Sequence, residues 1–269
     1  MKIALLSDIH ANFPAFEAVL ADLETKKPDA VYCLGDLVGY NVWPNQVIGL
    51  VRKHGIATIA GNHDLKVSKI MPSEGDCSKE ESSEYAYKLV GRKERDYLLT
   101  LPRHLRIEFQ LNDQPLNMLL VHGSPRSINE YLLQDLLEQY MLELVREFKA
   151  DILCFGHSHK PYHRVINSGE NSIEHFHHLI NTGSVGKPKD GDARACYVLI
   201  TIDQTASTTT QDAVQVEFVR VKYDVEKAAK AVELSLLHIG QQGQSLFNRK
   251  RNNDRKPFRK KYWAYHYTF

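Results

Sequence analysis

Residues 2–10, KIALLSDIH, decide the fold of this 269-residue chain. The apolar run from Lys2 to Ser7 predicts a buried β-strand, which leads directly into Asp8 and His10. Side chains two positions apart on an extended segment point to the same side, so these two residues could bind one metal ion together. Residues 13–23 then carry apolar side chains at helical spacing and predict a helix after the strand.

The same succession, a short apolar run followed by polar side chains, occurs four more times. Further strands are predicted at Ala30–Leu34, Ile56–Ala60, Met118–Val121 and Ile152–Phe155. They lead into Gly35-Asp36, Gly61-Asn62-His63-Asp64, His122-Gly123 and Gly156-His157-Ser158-His159. Strands that alternate with helices indicate an α/β fold with a largely parallel sheet, and the carboxyl ends of parallel strands meet at one edge. We therefore expect these polar side chains to converge.

The chemical types of these side chains indicate a metal centre. Carboxylates, imidazoles and a carboxamide suit Mn, Fe, Zn, Ni or Co ions rather than metals that prefer thiolates. A single aspartate at the end of a strand is usually a turn or helix-cap residue. That explanation is much weaker for suitable ligands at five successive strand ends, three of which follow a glycine that permits a sharp turn.

The segments DIH, GDLVGY, GNHD, VHGS and GHSH resemble, in order and spacing, the five signature blocks of the calcineurin-like metallophosphoesterase superfamily. INTGSVG at residues 180–186 is similar to the next block of the small stand-alone bacterial and archaeal members. The resemblance implies a four-layer α/β/β/α sandwich, in which two mixed sheets are flanked by helices and a dinuclear metal centre lies between the sheets.

The resemblance also implies a role for each ligand. Asp8, His10 and His159 would hold one ion, Asn62, His122 and His157 would hold the other, and Asp36 would bridge them. Two divalent transition-metal ions about 3.5 to 4 Å apart can grip the phosphoryl oxygens during in-line attack. Mn is the expected metal, with Fe, Zn, Ni or Co as alternatives, and a metal-bound hydroxide would be the nucleophile. His63 would be the catalytic residue that protonates the leaving oxygen or stabilises its charge.

The second block departs from part of the superfamily. Phosphoprotein phosphatases and symmetric dinucleoside tetraphosphatases carry a phosphate-contacting arginine where this chain has Gly39-Tyr40-Asn41. The form GDLVGYN instead resembles the small stand-alone phosphoesterases, which include broad phosphodiesterases and asymmetric diadenosine tetraphosphate hydrolases. Asn12, Tyr40 and Arg126 lie in loops beside the ligands and are candidates for contacts with substrate.

These observations predict an enzyme that hydrolyses phosphodiester or nucleotide pyrophosphate bonds in a small phosphoester or nucleotide. The alternatives are an asymmetric dinucleoside tetraphosphate hydrolase, a nucleic-acid phosphoesterase or nuclease, and a non-catalytic scaffold of the same fold. His63 favours catalysis, because superfamily members that act as scaffolds tend to lack this histidine. The loops that set specificity carry no recognisable motif, so the substrate stays open.

The domain organisation follows from the patterns along the chain. Residues 1–248 are expected to form a single catalytic domain, in which residues 66–101 are an inserted loop and a helix from Ser82 to Leu101. Strand-rich segments after residue 175 are expected to form a second sheet. These segments are His177–Asn181, Ala195–Ile202 and Val214–Val221, and a helix is predicted after them at Val225–Leu237.

Residues 249–269 form a tail of different character. Its first thirteen residues hold eight Lys or Arg against one Asp, and five of its last eight residues are aromatic. Such a tail can bind nucleic acid through phosphate neutralisation and base stacking. It can also pack against the domain or a second subunit in a homo-oligomer, and we favour packing because exposed aromatic rings are costly to leave in water.

The composition is that of an ordinary globular protein, with 43% hydrophobic and 25% charged residues. The apolar runs are too short for a signal peptide or a membrane-spanning helix, so we expect a cytoplasmic protein with no membrane partner. The four cysteines are far apart, which predicts free thiols rather than disulfides. His175, His177 and His178 alternate within a strand pattern, and we interpret them as strand residues rather than as a metal cluster.

Overall fold

The computed structural model describes residues 1–70, 82–112, 114–169, 174–207 and 211–235. Ten strands of these residues form two five-stranded sheets. The first sheet has the order β10-β9-β1-β2-β3 and consists of β1 (Lys2–Leu6), β2 (Ala30–Cys33), β3 (Ala57–Thr58), β9 (Ala195–Ile202) and β10 (Val214–Val221). Strands β1, β2 and β3 are parallel, whereas β9 is antiparallel to both of its neighbours. The first sheet is therefore mixed.

The second sheet is also mixed. It has the order β4-β5-β6-β8-β7 and consists of β4 (His104–Gln110), β5 (Pro115–Val121), β6 (Ile152–Phe155), β7 (Tyr162–Asn167) and β8 (Phe176–Asn181). The three central strands are parallel, and the two edge strands pair with them in the antiparallel sense.

The two sheets pack face to face around a shared apolar core. Alternate side chains of β1 point to opposite sides, so Ile3 and Leu5 lie between the sheets while Ala4 and Leu6 face the helices. Met118 and Leu120 of β5 enter the same core from the second sheet. Burial of both faces explains why β1 is a continuous apolar run rather than an alternating one.

Helices cover the outer face of each sheet. They are α1 (Phe13–Lys26), α2 (Pro44–Lys53), α3 (Asn62–Lys66), α4 (Ser82–Lys88), α5 (Arg92–Leu99), α6 (Glu138–Glu147) and α7 (Val225–Glu233). Helix α1 buries Phe16 and Val19 against the first sheet, and α6 buries Met141 and Leu144 against the second. This arrangement confirms the expected sandwich of two mixed sheets flanked by helices.

The predicted assignment of strands to sheets was wrong. Strands β5 and β6 do not extend a parallel sheet that starts with β1 but belong to the second sheet. Strands β9 and β10 return to the first sheet, and only β8 of the late strands joins the second. Hydrophobic periodicity identifies a buried strand but not its partner, because strands in either sheet bury both faces. We did not predict strands β4 and β7. They are the edges of the second sheet and are more exposed than its three central strands.

The single helix predicted from Ser82 to Leu101 is two helices, α4 and α5. Gly91 has an extended backbone that ends the first segment and begins the second. The buried Arg95 side chain stabilises this break, because its guanidinium donates hydrogen bonds to backbone carbonyl groups near the end of α4 and just before Gly91. It donates to four carbonyl oxygens, those of Val67, Ile70, Tyr87 and Val90.

Three of the four cysteines, Cys33, Cys154 and Cys196, are buried free thiols as predicted, and Cys77 lies outside the described residues. The end of the helix predicted to reach Leu237 and the tail at 249–269 also lie outside them. Within the described ranges, no helix has both the length and the apolar composition needed to cross a bilayer.

Truncation of Leu5 to alanine should test the core between the sheets. Leu5 is fully buried there, so Leu5→Ala should lower the free energy of unfolding by about 3 kcal/mol through lost burial and a residual cavity. Leu234, which is 78% exposed, provides the control, and Leu234→Ala should have little effect. Urea denaturation of both variants measures the difference, and equal stabilities would contradict the assigned core.

Candidate metal centre

The loops that follow β1 and β2 are joined by backbone hydrogen bonds. The N–H of Asp8 donates to the carbonyl oxygen of Gly35 over 3.0 Å, and that of His10 donates to the carbonyl oxygen of Asp36 over 2.9 Å. Because β1 and β2 are parallel neighbours, both loops leave the sheet at the same end. The pairing brings the side chains of Asp8, His10 and Asp36 to one point.

The two carboxylate oxygens of Asp8 have different surroundings. Oδ2 accepts hydrogen bonds from the Ser7 hydroxyl (2.6 Å) and the backbone N–H of His157 (3.0 Å). Oδ1 is buried and has no hydrogen-bond partner among the described residues. It lies 3.5 Å from His10 Nε2 and 3.1 Å from His159 Nε2. One oxygen is therefore held by the protein, and the other faces a group of imidazole nitrogens.

Asp36 shows the same division. Its Oδ1 accepts a 2.8 Å hydrogen bond from the backbone N–H of His63, whereas its buried Oδ2 is without such a partner in the described part of the chain. This Oδ2 lies 3.7 Å from His10 Nε2 and 3.4 Å from His122 Nε2. Asp36 Oδ2 therefore lies between the imidazole of His10 on one side and the imidazole of His122 on the other.

Second hydrogen bonds fix the orientation of three of these imidazoles. In each ring Nδ1 bonds to a backbone carbonyl oxygen, which leaves Nε2 turned towards the carboxylates. The pairs are His10 with Val38 (3.0 Å), His122 with Leu34 (2.8 Å) and His159 with Lys187 (2.6 Å). Because these rings are already fixed, binding of a metal ion at Nε2 would cost little further side-chain entropy.

The second group of ligand atoms surrounds the other side of Asp36. The amide oxygen of Asn62 lies 3.0 Å from His122 Nε2. His157 offers a ring nitrogen within 4.8 Å of the ligand atoms of Asp36 and His122. The first group consists of Asp8, His10 and His159, whose ligand atoms also lie within 4.8 Å of one another. All seven residues predicted as ligands therefore come together in two groups, which meet at Asp36.

The electrostatics of the two groups are strongly coupled. Burial by itself raises the pKa of a carboxyl group, yet His159 and His10 hold the pKa of Asp8 well below its usual value. His122 and His63 do the same for Asp36. Although burial opposes it, Asp36 in turn raises the pKa of His122 to about 10. Positive charge is thus favoured at this point, and a divalent cation can supply it in place of the imidazole protons.

These residues fit divalent metal ions. Two buried carboxylate oxygens lack hydrogen-bond donors, and leaving such atoms unpaired is costly unless a cation approaches them. Neutral imidazole Nε2 atoms, carboxylate oxygens and an amide oxygen are ligands suited to first-row transition metals. The same oxygens that lack donors lie nearest to the converging nitrogen atoms.

The ligands lie on strained backbone. Five of the seven have positive φ angles between 50° and 63°, a region that residues other than glycine seldom adopt: Asp8, His10, Asp36, His157 and His159. Each such conformation costs about 1 to 3 kcal/mol and persists only where the surrounding structure imposes it. Periodicity and residue type give no sign of this strained backbone.

Two glycines permit the close approach of the loops. A Cβ atom on Gly61 would overlap the Asp36 carboxylate, and one on Gly156 would overlap Ser7 and Asp8. Asp64 fastens the Gly61 turn to the Asp36 loop. Its carboxylate accepts hydrogen bonds from the backbone N–H groups of Asp36, Leu37, Val38 and Gly61. Asp64 therefore acts as a cap of the turn and does not orient His63.

His63 is oriented by Tyr87, a residue that sequence reasoning missed. His63 Nε2 lies 4.0 Å from Asp36 Oδ2, and its Nδ1 lies 2.5 Å from the Tyr87 hydroxyl. Burial raises the pKa of Tyr87 and lowers that of His63 to about 3, so the phenol keeps its proton and the ring is neutral. With the phenol as donor to Nδ1, the ring proton lies on Nε2, towards the centre.

The three candidate substrate contacts have different surroundings. Tyr40 is 39% exposed, and its ring packs against two histidine rings. The distance between ring centroids is 4.7 Å to His10 and 4.8 Å to His63. The buried Asn12 caps α1 through Ala15 N–H and donates to the carbonyl oxygen of Gly186, so its amide is used in the fold. The exposed Arg126 pairs with Glu147 on the surface, so its role in substrate binding stays a prediction.

Two further residues border the centre without a signal in the sequence. Tyr131 is 51% exposed and stacks on the His157 ring, with 4.2 Å between ring centroids. The Lys187 ammonium lies 3.2 Å from the centroid of the Tyr40 ring, and burial lowers the pKa of Lys187 to about 7. Both residues belong to loops, and no local sequence pattern predicts that these loops lie beside the centre.

A third cluster lies at the opposite end of the second sheet. Asp151, His175 and His177 offer ligand atoms within 4.8 Å of one another. Their polar atoms are already paired: His175 Nε2 bonds to Asp151, and His177 bonds to the Ala150 carbonyl oxygen and the Ser168 hydroxyl. Unlike Asp8 and Asp36, Asp151 has no buried oxygen without a partner in the described structure. The cluster is explained by hydrogen bonding alone.

Comparison with known proteins agrees with this geometry. Residues 1–161 match the family model of the calcineurin-like phosphoesterases. The uncharacterized protein MJ0912 of Methanocaldococcus jannaschii is 30% identical over 249 residues, which cover 86% of this chain and 91% of that protein.

Two solved structures are similar along most of their length. The crystal structure of a metallophosphoesterase from Sphaerobacter thermophilus has 29% identity and a TM-score of 0.65, covering 87% of this chain and 93% of that one. The hypothetical protein PH1004 from Pyrococcus horikoshii has 22% identity and a TM-score of 0.69, covering 90% and 96%. The second likeness supports the fold alone.

Added metal should stabilise the protein through Asp36. After removal of metals with a chelator, saturating MnCl₂ should raise the Tm by about 5 °C, because a ligand that binds the folded state stabilises it. Asp36→Asn should abolish most of this increase, since it removes the shared carboxylate. Asp96→Asn, which changes an exposed aspartate, should respond as the wild type does. Differential scanning calorimetry measures the three shifts, and an undiminished shift in Asp36→Asn would refute the assignment.

Proposed function

The chain belongs to the calcineurin-like phosphoesterase family, and we propose that it hydrolyses phosphodiester or nucleotide pyrophosphate bonds at a centre of two divalent metal ions. The observation that carries the proposal is the position of Asp36 Oδ2. It is a buried carboxylate oxygen without a hydrogen-bond donor in the described residues, and it lies between His10 and His122. A bridge between two cations would satisfy it from both sides.

Each side of Asp36 offers three further ligands. Asp8, His10 and His159 would hold one ion, and Asn62, His122 and His157 would hold the other. When bound, a pair of ions supplies Lewis-acid polarisation of the phosphoryl group and lowers the pKa of a coordinated water. The mixture of oxygen and nitrogen ligands, without a thiolate, suits divalent first-row metals, and our candidates are Mn, which we expect, and Fe, Zn, Ni or Co.

His63 would act on the leaving group. Its Nε2 faces the centre, 4.0 Å from Asp36 Oδ2, and the Tyr87 hydroxyl keeps the ring proton on that nitrogen. Burial keeps the imidazole neutral, because it lowers the pKa of His63 to about 3. We infer that the Nε2–H group donates a hydrogen bond to the leaving oxygen and stabilises the charge that develops there.

The arrangement also supports catalysis over the scaffold alternative. A scaffold needs neither an oriented His63 nor five ligands held on strained backbone, and strain of that kind is typical of functional sites. The nuclease alternative depends on the basic tail, which lies outside the described residues, and it stays a prediction.

Hydrolysis of bis(p-nitrophenyl) phosphate tests the proposed activity. The metal-free protein should be inactive, and MnCl₂ should restore release of p-nitrophenolate. For diesters with an alkyl leaving group, His63→Ala should lower kcat by about 10² to 10⁴-fold, and it should lower kcat less for bis(p-nitrophenyl) phosphate. The Mn²⁺-induced rise in Tm should stay intact, because His63 is placed outside the ligand set. Spectrophotometric assays with several divalent metals measure these effects. A metal-replete protein that is inert on diesters, monoesters and nucleotide pyrophosphates would rule the proposal out.

Replacement of Tyr87 tests how His63 is positioned. Tyr87→Phe removes only the hydroxyl bonded to His63 Nδ1, so kcat should fall about tenfold for esters with an alkyl leaving group. It should fall much less for p-nitrophenyl esters, whose leaving group needs little stabilisation. Tyr97→Phe, which changes a tyrosine of α5, is the control. An equal loss for both kinds of ester would indicate a structural role only.

A further inference from the structure

Two lysines border the centre on the side of His10 and His159. The Lys187 carbonyl oxygen accepts the 2.6 Å hydrogen bond from His159 Nδ1, and the backbone N–H of Lys189 donates to the His159 carbonyl oxygen. The Lys187 side chain crosses the face of Tyr40, whose other contacts are His10 and His63. The Lys187 ammonium is therefore separated from the ligands by a single aromatic ring.

Neither ammonium group has a carboxylate partner within the described ranges of the chain. The nearby acidic side chains are engaged elsewhere, because Asp190 pairs with Arg220 and Asp192 pairs with Arg194. Burial lowers the pKa of Lys189, and among the described residues the carboxylates of Asp8 and Asp36 oppose this effect. Those two carboxylates are themselves proposed metal ligands, and bound cations would neutralise them.

A half-buried ammonium without an anion is unfavourable. The contact of Lys187 with the Tyr40 ring compensates only part of the dehydration of the charge. Native proteins usually pair such groups, so a pair of unpaired lysines beside a phosphoester centre indicates that the anion comes with the ligand. A phosphate group is a suitable anion, since lysine binds it as a point charge.

We propose that Lys187 and Lys189 form a subsite for a second phosphoryl group, so that the preferred substrates contain a phosphoanhydride, as nucleotide pyrophosphates do. The inference rests on the proposed function, since the first phosphoryl group is the one at the metal ligands. A simple diester carries one negative charge, which the cations held by those ligands would already compensate. Only a substrate with a neighbouring phosphoryl group places a further charge beside the lysines.

The corresponding reaction is a hydrolysis in which every atom is accounted for. The oxygen of water forms a bond to the phosphorus at the centre, and the bridging P–O bond breaks. The electron pair of that bond leaves with the second phosphoryl group, and one proton of the water is transferred to bulk solvent or to the departing oxygen. Two phosphomonoesters result, and Lys187 and Lys189 would stabilise the charge of the departing one.

The test compares two substrates in matched lysine variants. For Lys187→Met, we expect the ratio of kcat/KM for diadenosine diphosphate to that for bis(p-nitrophenyl) phosphate to fall about tenfold, mainly through KM, as expected for a lost charged hydrogen bond. Lys187→Arg should restore most of the ratio. Lys53→Met removes an exposed lysine of α2 and should leave the ratio at its wild-type value.

A binding measurement separates failure of this inference from failure of the proposed function. By isothermal titration calorimetry, the methylene analogue of ADP should bind the wild type more tightly than AMP, and Lys187→Met should remove most of that preference. The subsite is refuted if Lys187→Met changes neither the kcat/KM ratio of the two substrates nor the binding preference for the ADP analogue. It is also refuted if the variant loses activity equally on both substrates, because Lys187 then only supports Tyr40. If the wild type cleaves no phosphoester yet keeps the preference for the ADP analogue, the subsite stands and the proposed activity fails.

Discussion

Two buried carboxylate oxygens without a hydrogen-bond donor in the described chain, Asp8 Oδ1 and Asp36 Oδ2, are the constraint on which the rest of the structure depends. Negative charge in a dry interior is tolerated only where positive charge is close. The fold surrounds these oxygens with imidazoles whose Nδ1 atoms are bound to backbone carbonyl groups, and the remaining Nε2 atoms converge on the two oxygens. A divalent cation bound among them would supply the positive charge. Strained loops, glycines at close approaches and the Asp64 cap all serve to hold these charges together.

Much of the centre could be predicted from sequence, because its ligands follow strands directly and a strand is recognisable from a short apolar run. What failed was the pairing of strands. β1 and β5 look alike in sequence, yet they lie in different sheets, and the ligands meet where the ends of two stacked sheets come together. The contacts of Asn12 and Arg126 could not be predicted either. Asn12 bonds to Gly186 and Arg126 pairs with Glu147, and both partners are distant in sequence.

Residues around the ligands were harder to find than the ligands themselves. Tyr87 and Lys187 belong to a helix and a loop whose sequences carry no motif, and each acts through a contact with a residue more than twenty positions away. Motifs report the chemistry that all members of a family share. The side chains that we propose to set proton position and substrate preference come from the segments around it, which carry no motif.

The break between α4 and α5 has a consequence for how such a protein can change. Arg95 ties the inserted segment to itself through four carbonyl groups, and that segment reaches the centre through Tyr87. None of the seven residues of the candidate metal centre belongs to it. Substitutions within residues 66–101 can therefore change the surroundings of His63 while every one of those seven side chains is kept.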